Sequence, residues 1–321
     1  MNFRYISCAL SLGVALSLAG PAARAATAPD SLLVLSITDM KGKIGPCGCH
    51  IPKGGLSRQA SFTDSIRSEV RNVLRVDNGG FFPEIDANRE FGPFIMDALR
   101  TMGVQAVGIS DRDLRFGLGF LLANQRQTRL PIVCANLQEK PSGKPVFEPF
   151  RIVQVGRTKV GVFGLITDKS DLGPSRDSLQ AADAIETAKR IVPQLRSRGA
   201  TVVVLLSQLG KVETEDLVSV VDGVDVAIAG RRIPMIQQGR TLKNTVICYG
   251  GEEGQYMGVT AITLDGRGRK IGGHNGMTML SPEVGEDEIH ARPCEGVRGS
   301  VQRAAEVGKE GRFVNADRTL A

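Results

Sequence analysis

Two near-continuous apolar runs, Val202-Val203-Val204-Leu205-Leu206-Ser207 and Val224-Asp225-Val226-Ala227-Ile228-Ala229, constrain this chain most. Each has too little polar character to turn one side toward water. Each therefore reads as a strand buried on both faces, with covering layers above and below. Elsewhere, short apolar runs alternate with amphipathic stretches. Strands are expected at 32–38, 73–77, 106–110, 132–136, 150–155, 160–166, 245–249 and 257–264, the last two as an antiparallel pair. Gly156-Arg157-Thr158-Lys159 reads as a hairpin between two of them. Helices are expected at 56–70, 91–102 and 181–198, with another between 110 and 132. Leu56, Ala60, Ile66 and Val70 fall on one face of the first, and Ala184, Ala188, Ile191, Val192 and Leu195 repeat at helical spacing in the last. The length allows one large α/β domain or two modest ones.

The N-terminus reads as an export signal. Arg4 gives a short positive region, 8–18 is apolar or small, and Ala23-Arg24-Ala25 fits an A-x-A cleavage site. The expected organisation is a signal peptide at 1–25, one domain at 26–285 and a polar C-terminal tail at 286–321. The apolar run is short for a bilayer span and no later run is long enough, so no membrane span is expected after signal removal. The protein is expected to be periplasmic or secreted. The formal charge of +6 falls by two when Arg4 and Arg24 leave with the signal. The remaining Lys and Arg are scattered, with no aromatic-interleaved basic stripe, so no nucleic-acid partner is expected. A mild attraction to anions is all the charge implies.

Without Cys8 the chain keeps Cys47, Cys49, Cys134, Cys248 and Cys294. In an oxidising compartment an odd number leaves at least one thiol unpaired or metal-bound. Cys134 and Cys248 lie in apolar strand runs and read as inert buried thiols, while Cys294 lies in the polar tail.

Several stretches, in order, carry a family resemblance. They include Thr38-Asp39, Gly54-Gly55-Leu56, Val76-Asp77-Asn78-Gly79, Phe116-Gly117, Ala135-Asn136-Leu137, Gly161-Val162-Phe163-Gly164-Leu165, Val204-Leu205-Leu206-Ser207, Ala229-Gly230 and Tyr256-Met257-Gly258. Over roughly Leu32 to Asp265 the chain resembles the secreted 5'-nucleotidase family of the calcineurin-like metallophosphoesterases. The resemblance implies an α/β fold: a four-layer sandwich of two mixed β-sheets flanked by helices. Those enzymes also carry a C-terminal nucleoside-binding domain, which a sequence of this length is not expected to contain.

The family holds two divalent metals on His, Asp and Asn side chains at strand ends, where they generate hydroxide and clamp phosphoryl oxygens. Carried over one position at a time, most of that set is missing. The His of Asp-x-His is Lys41, and the bridging carboxylate of Gly-Asp is Gly80. The Gly-Asn-His-Glu motif falls on Ser110-Asp111-Arg112-Asp113, Ser-His on Ser207-Gln208, and Gly-His-x-His on Gly230-Arg231-Arg232-Ile233. None of the three histidines, His50, His274 and His290, stands on a family ligand position. Cations at Lys41, Arg112 and Arg231 repel a divalent metal at short range. Two readings stay open for them. They could hold a small oxyanion in the old pocket, or they could pair with Asp39, Asp111 and Asp113 and fill the space.

Between the first motifs lies Pro46-Cys47-Gly48-Cys49-His50, foreign to phosphoesterase chemistry. Cys47 and Cys49, with His50 as proton donor or third ligand, allow three chemistries: a redox-active disulfide, a soft-metal site, or a nucleophilic thiolate activated by Lys41, Lys53 or Arg112. A structural disulfide to another cysteine is the plain alternative. A branch of exported nucleotidase-like proteins carries Cys-Gly-Cys here, some members with selenocysteine, and resemblance to that branch implies a redox role. The leading expectation is an exported nucleotidase-like protein with a degenerate two-metal site. It would use the Cys47/Cys49 loop for thiol redox chemistry or soft-metal binding, with a small oxyanion or a periplasmic redox partner. The alternatives are a metal-dependent phosphoric ester hydrolase keeping one metal on Asp39, Asp111 and Asp113, and a non-catalytic anion- or nucleotide-binding protein.

Overall fold

The computed structural model describes residues 30–84 and 89–286. The expected signal peptide, the tail, Cys294 and His290 lie outside them. In chain order the strands are β1 (Asp30–Ile37), β2 (Val73–Asp77), β3 (Ala106–Val107), β4 (Leu137–Glu139), β5 (Phe150–Val155), β6 (Thr158–Ile166), β7 (Leu179–Ala181), β8 (Val202–Gln208), β9 (Val226–Ala229), β10 (Arg240–Leu242), β11 (Thr245–Tyr249), β12 (Tyr256–Leu264) and β13 (Lys270–Met279). The helices are α1 (Leu56–Glu69), α2 (Phe91–Thr101), α3 (Leu118–Thr128), α4 (Ala184–Ser197), α5 (Lys211–Val220) and a short α6 (Pro282–Glu286).

Two mixed sheets form the centre. One has the order β13-β12-β1-β2-β3 and the other β10-β11-β9-β8-β6-β5; β4 and β7 make a separate two-stranded ribbon. Side-chain alternation explains why the sheets stack. In β1, Leu33, Leu35 and Ile37 join the apolar layer under α1 and α2, while Leu32 and Val34 point into the layer shared with the second sheet. In β8, Val202, Val204 and Leu206 face that same inner layer, and Val203 and Leu205 pack under α4 and α5. The result is the expected four-layer α/β sandwich, and the two apolar runs of the sequence are covered on both sides. Each such Val or Leu, fully buried, stabilises the fold by about 1.5–3 kcal/mol relative to exposure.

Three expectations need correction. Residues 132–136 form no regular strand; Ile132 and Val133 make only isolated bridges, to Val107 and Glu148. The run is too short a link between the two sheet edges to join either ladder. Residues 245–249 and 257–264 are not paired with each other. β11 runs parallel to β9 in the second sheet, whereas β12 is antiparallel to β1 and β13 in the first. Adjacent apolar runs favour a hairpin locally, but burial between different layers decided their partners. The long helix starts at Ala184 rather than 181, because Leu179–Ala181 pairs with β4 and the Asp183 carboxylate caps the helix by accepting the Glu186 N–H at 2.7 Å.

Candidate anion site at the strand ends

β1, β2 and β3 run parallel in one sheet, and β6, β8, β9 and β11 run parallel in the other. Their C-terminal ends meet at one edge of the sandwich. Contacts between loops from different sheets close it. Asn78 Nδ2 donates to the Ser207 carbonyl at 3.1 Å, and Gln208 Nε2 donates to the Asn78 carbonyl at 3.0 Å. Asp39 Oδ2 accepts the backbone N–H of Arg231 at 2.9 Å. This is the place where the family resemblance puts two metals.

The side chains here fill the space with hydrogen bonds. Gln208 Nε2 also reaches Thr38 Oγ1 at 3.3 Å and Asp39 Oδ1 at 3.4 Å, and the Thr38 hydroxyl donates to Asp39 Oδ2 at 3.1 Å. Burial raises the Asp39 carboxyl above its ordinary range, against the Arg231 N–H, Thr38 and Gln208, which lower it. Asp113 is fully buried and accepts the backbone N–H groups of Gly80, Phe81, Phe82 and Ser110 at 2.7–3.1 Å. It shapes the 79–82 turn. Burial pushes its carboxyl up to about 6 against those same donors. Gly80 adopts φ +77°, and a side chain there would start 2.5 Å from Asp39 Oδ1. The position that should carry the bridging carboxylate has no room for one.

The three expected cations are differently placed. Lys41 Nζ is paired with Glu252, a partner that no motif suggested. Arg112 Nη2 lies 3.8 Å from Glu84, and Arg231 Nε lies 3.8 Å from Asp111 Oδ2. The other Asp111 oxygen accepts the Arg112 N–H at 2.9 Å, so this carboxylate stands between the two arginines. Both guanidinium side chains are 20% exposed, and Arg112 Nη1 and Arg231 Nε are buried with no hydrogen-bond acceptor among the described residues. The structure thus gathers Arg112, Arg231 and Asp111, attaches Asp39 through the Arg231 backbone, and draws Lys41 toward Glu252.

Among the described residues no group of three His, Cys, Asp or Glu side chains could hold a metal ion. Asp39, Asp111 and Asp113 do not form such a group, and neither do Cys47, Cys49 and His50. With Gly80 closed off and two guanidinium groups present, the residues at the strand ends do not fit the family's two metals.

Cys47 and Cys49 are joined in a disulfide across Gly48. The loop is exposed at Gly48, Cys49 and His50. Its base is fixed: Cys47 N–H donates to the Lys53 carbonyl at 2.8 Å, and the Lys53 N–H contacts Cys47 Sγ at 3.3 Å. The Lys53 ammonium is directed to the Tyr256 hydroxyl at 3.4 Å. In this oxidised form neither sulfur is a thiolate, so metal binding or nucleophilic attack would require reduction first. Cys134 and Cys248 are buried as expected, and burial pushes both thiols up to about 11.

Sequence reasoning missed a second polar group beneath the first sheet. Arg75 and Asp77, two apart on β2, are fully buried; Arg75 Nη2 donates to Gln59 Oε1 at 3.3 Å and Asp77 accepts the Gly79 N–H at 2.8 Å. An arginine inside the apolar run 73–76 was the available signal. Burial pushes Asp77 up to about 7.

No family profile matches the chain. A snake venom 5'-nucleotidase from Naja atra is 25% identical over 271 residues, covering 76% of this chain and 51% of that protein. A 5'-nucleotidase precursor from Thermus thermophilus superposes with a TM-score of 0.71 at 21% identity, covering 86% of this chain and 58% of the other. The calcineurin-like phosphoesterase YfkN from Bacillus subtilis gives 0.68 at 18% identity, covering 87% and 97%. By sequence and by structure these neighbours are 5'-nucleotidase-like, calcineurin-like metallophosphoesterases. This chain spans about half the length of the venom enzyme.

Proposed function

We propose that this chain, which shares its fold with the 5'-nucleotidases, is an exported protein that binds a phosphate-bearing anion without a two-metal centre. One observation carries the reading: Arg112 Nη1 and Arg231 Nε are buried with no hydrogen-bond acceptor among the described residues, and the carboxylates nearest the two guanidinium groups, Glu84 and Asp111, stand 3.8 Å away. A buried unsatisfied donor costs about 1–3 kcal/mol, more when charged, and an oxyanion arriving from solvent would remove that cost. Guanidinium suits this role because its planar fork matches phosphate oxygens. The nucleotidase names of the relatives make a nucleoside monophosphate the first ligand class to try. Among the described residues the donor set gives no support for hydrolysis by the relatives' metal chemistry.

The test is calorimetric titration with phosphate, sulfate and AMP at low salt. Binding at millimolar concentration or tighter is expected, weakened about tenfold or more, or ~1.4 kcal/mol, in Arg112→Gln and in Arg231→Gln. No heat with any of the three anions at millimolar levels would defeat the reading. It would leave the arginines as structural partners of Glu84 and Asp111.

A second reading rests on the Cys47–Cys49 disulfide on an exposed loop. In it, a dithiol partner is oxidised to a disulfide as the pair is reduced to two thiols. Titration of the pair against a glutathione redox buffer tests it. A disulfide that stays closed throughout the physiological range would make the loop a structural clasp.

A further inference from the structure

The opposite end of the sandwich carries a second cationic feature, far from Asp39 and Arg231 along the strands. There, at the N-terminal ends of the parallel strands, the edge of the first sheet beside β3 meets the outer strand β5 of the second sheet. An open cavity of about 430 Å³ lies between them. That volume falls within the range of small-molecule sites, about 300–1,000 Å³. Its walls include Arg100, Arg129 and Arg151, with Gln105 and Gln154 and, among the described residues, no acidic side chain.

These arginines come from three separate elements. Arg100 sits in the last turn of α2, Arg129 is the left-handed residue that ends α3 at φ +55°, and Arg151 is on β5. Cations at helix C-termini have a local reason, the partial negative charge of the last carbonyls. That reason accounts for Arg100 and Arg129 one at a time. It does not account for their opening into one cavity with an arginine from a strand in the other sheet. Among the described residues the guanidinium groups of Arg100 and Arg129 have neither an ion pair nor a hydrogen bond, and Arg151 has a single exposed partner, Glu148, at 3.3 Å. Gln105 adds a neutral donor. Its Oε1 is held by the Arg75 N–H at 3.1 Å, and its amide nitrogen has no acceptor among the described residues. Three like charges lining one cavity repel each other, and an anion with several charged oxygens relieves that repulsion while filling the fork geometry.

We propose that this cavity is a second anion site, independent of Arg112 and Arg231, that takes a compact polyanion bearing two or more phosphate or carboxylate groups. A monoanion offers one charge to three guanidinium groups. A polyanion spans the cavity and gains from all three, so affinity rises with the number of charged groups and falls as salt screens them.

The test is calorimetry on the full chain at low ionic strength with tripolyphosphate, citrate and, for comparison, acetate. Tripolyphosphate is expected to bind, with or without citrate, and acetate is not. Binding of tripolyphosphate alone identifies the ligand as a phosphate compound; binding of both identifies recognition by charge number. The triple variant Arg100→Ala, Arg129→Ala, Arg151→Ala is expected to lose about tenfold or more in affinity. The double variant Arg112→Gln, Arg231→Gln is expected to leave a tripolyphosphate site intact. If the triple variant melts early, Arg129→Ala and Arg151→Ala measured singly give the same reading, each expected to weaken tripolyphosphate binding, because Arg129 is exposed and the one partner of Arg151, Glu148, is exposed as well. The proposal is overturned if tripolyphosphate fails to bind at millimolar levels. It is equally overturned if the strand-end double variant abolishes binding while the cavity variants do not change it.

Discussion

Asp39 and Arg231, 192 positions apart, are joined by a 2.9 Å hydrogen bond from the Arg231 backbone N–H to Asp39 Oδ2. The bond ties the end of β1 in the first sheet to the end of β9 in the second. It also fixes where the Arg231 guanidinium can stand. Asp39 takes a strained left-handed conformation, φ +52°, which non-glycine residues adopt at a cost of about 1–3 kcal/mol. Arg231 does the same at φ +74°. Asp39→Ala should therefore destabilise the fold by about 1–3 kcal/mol, since it leaves the Arg231 N–H without its acceptor and removes the acceptor of the Thr38 hydroxyl, while Gln208 keeps the Asn78 carbonyl. Asp39→Asn keeps an acceptor oxygen and should cost less than half as much. Urea unfolding of both variants checks the difference, and equal losses would show that shape rather than hydrogen bonding matters here.

Metal should not help this protein. Mn(II), Mg(II) and Zn(II) are expected to leave its melting temperature unchanged and to support no turnover of an aryl phosphate. Restoring the bridging carboxylate alone, as Gly80→Asp, should destabilise rather than activate, because the new side chain meets Asp39 Oδ1 and the backbone is at φ +77°. A metal-dependent rise in melting temperature in the natural chain, lost in Asp39→Ala, would contradict this.

Asp77 sets a pH dependence. Its carboxyl is raised from 3.8 to about 7 by burial, partly opposed by the Gly79 N–H and by Arg75. A group whose folded pKa is raised holds its proton more tightly in the folded state. Its contribution to stability is complete below about pH 4 and is lost as pH rises toward 7, with a limiting slope of about 1.4 kcal/mol per pH unit. Asp77→Asn removes the titration while keeping the oxygen that receives the Gly79 N–H. Unfolding free energies measured from pH 4 to 7.5 should decline less steeply in Asp77→Asn than in the natural chain. Parallel curves would place the titration elsewhere.

The two cysteine classes should separate cleanly on alkylation. Without reductant, none of Cys47, Cys49, Cys134 and Cys248 should label in the folded protein. After mild reduction, Cys47 and Cys49 should label together and quickly, while the buried thiols, held near 11, stay unmodified until the chain unfolds. Cys47→Ser should cost no more than about 1–2 kcal/mol, because a ring closed over one intervening residue removes little chain entropy. Mass mapping with thermal melting measures both. A larger melting loss would assign the disulfide a structural role.

The layers were legible from the apolar runs. Runs such as 202–207 and 224–229 carry no polar face, so they had to be covered on both sides, while which of the alternating side chains of 32–37 meet helices and which meet the other sheet came from packing. The sequence also bears on the strand ends, where the family resemblance reads Lys41, Gly80, Arg112, Gln208 and Arg231 as replacements of metal-binding residues. Tertiary structure decided how the remaining charges are used. Lys41 meets Glu252 and Arg112 meets Glu84, contacts that depend on how loops from separate strands converge and that leave no local pattern. Asp113 reads as a possible metal ligand in its motif, yet four backbone N–H groups point at it because the 79–82 turn folds over the 110–113 turn. The pairing of 245–249 was likewise a choice between layers, made by which buried face was free. The cavity of Arg100, Arg129 and Arg151 lies beyond sequence reading for the same reason: its walls come from two helix ends and a strand of the other sheet, and only packing brings them to one place.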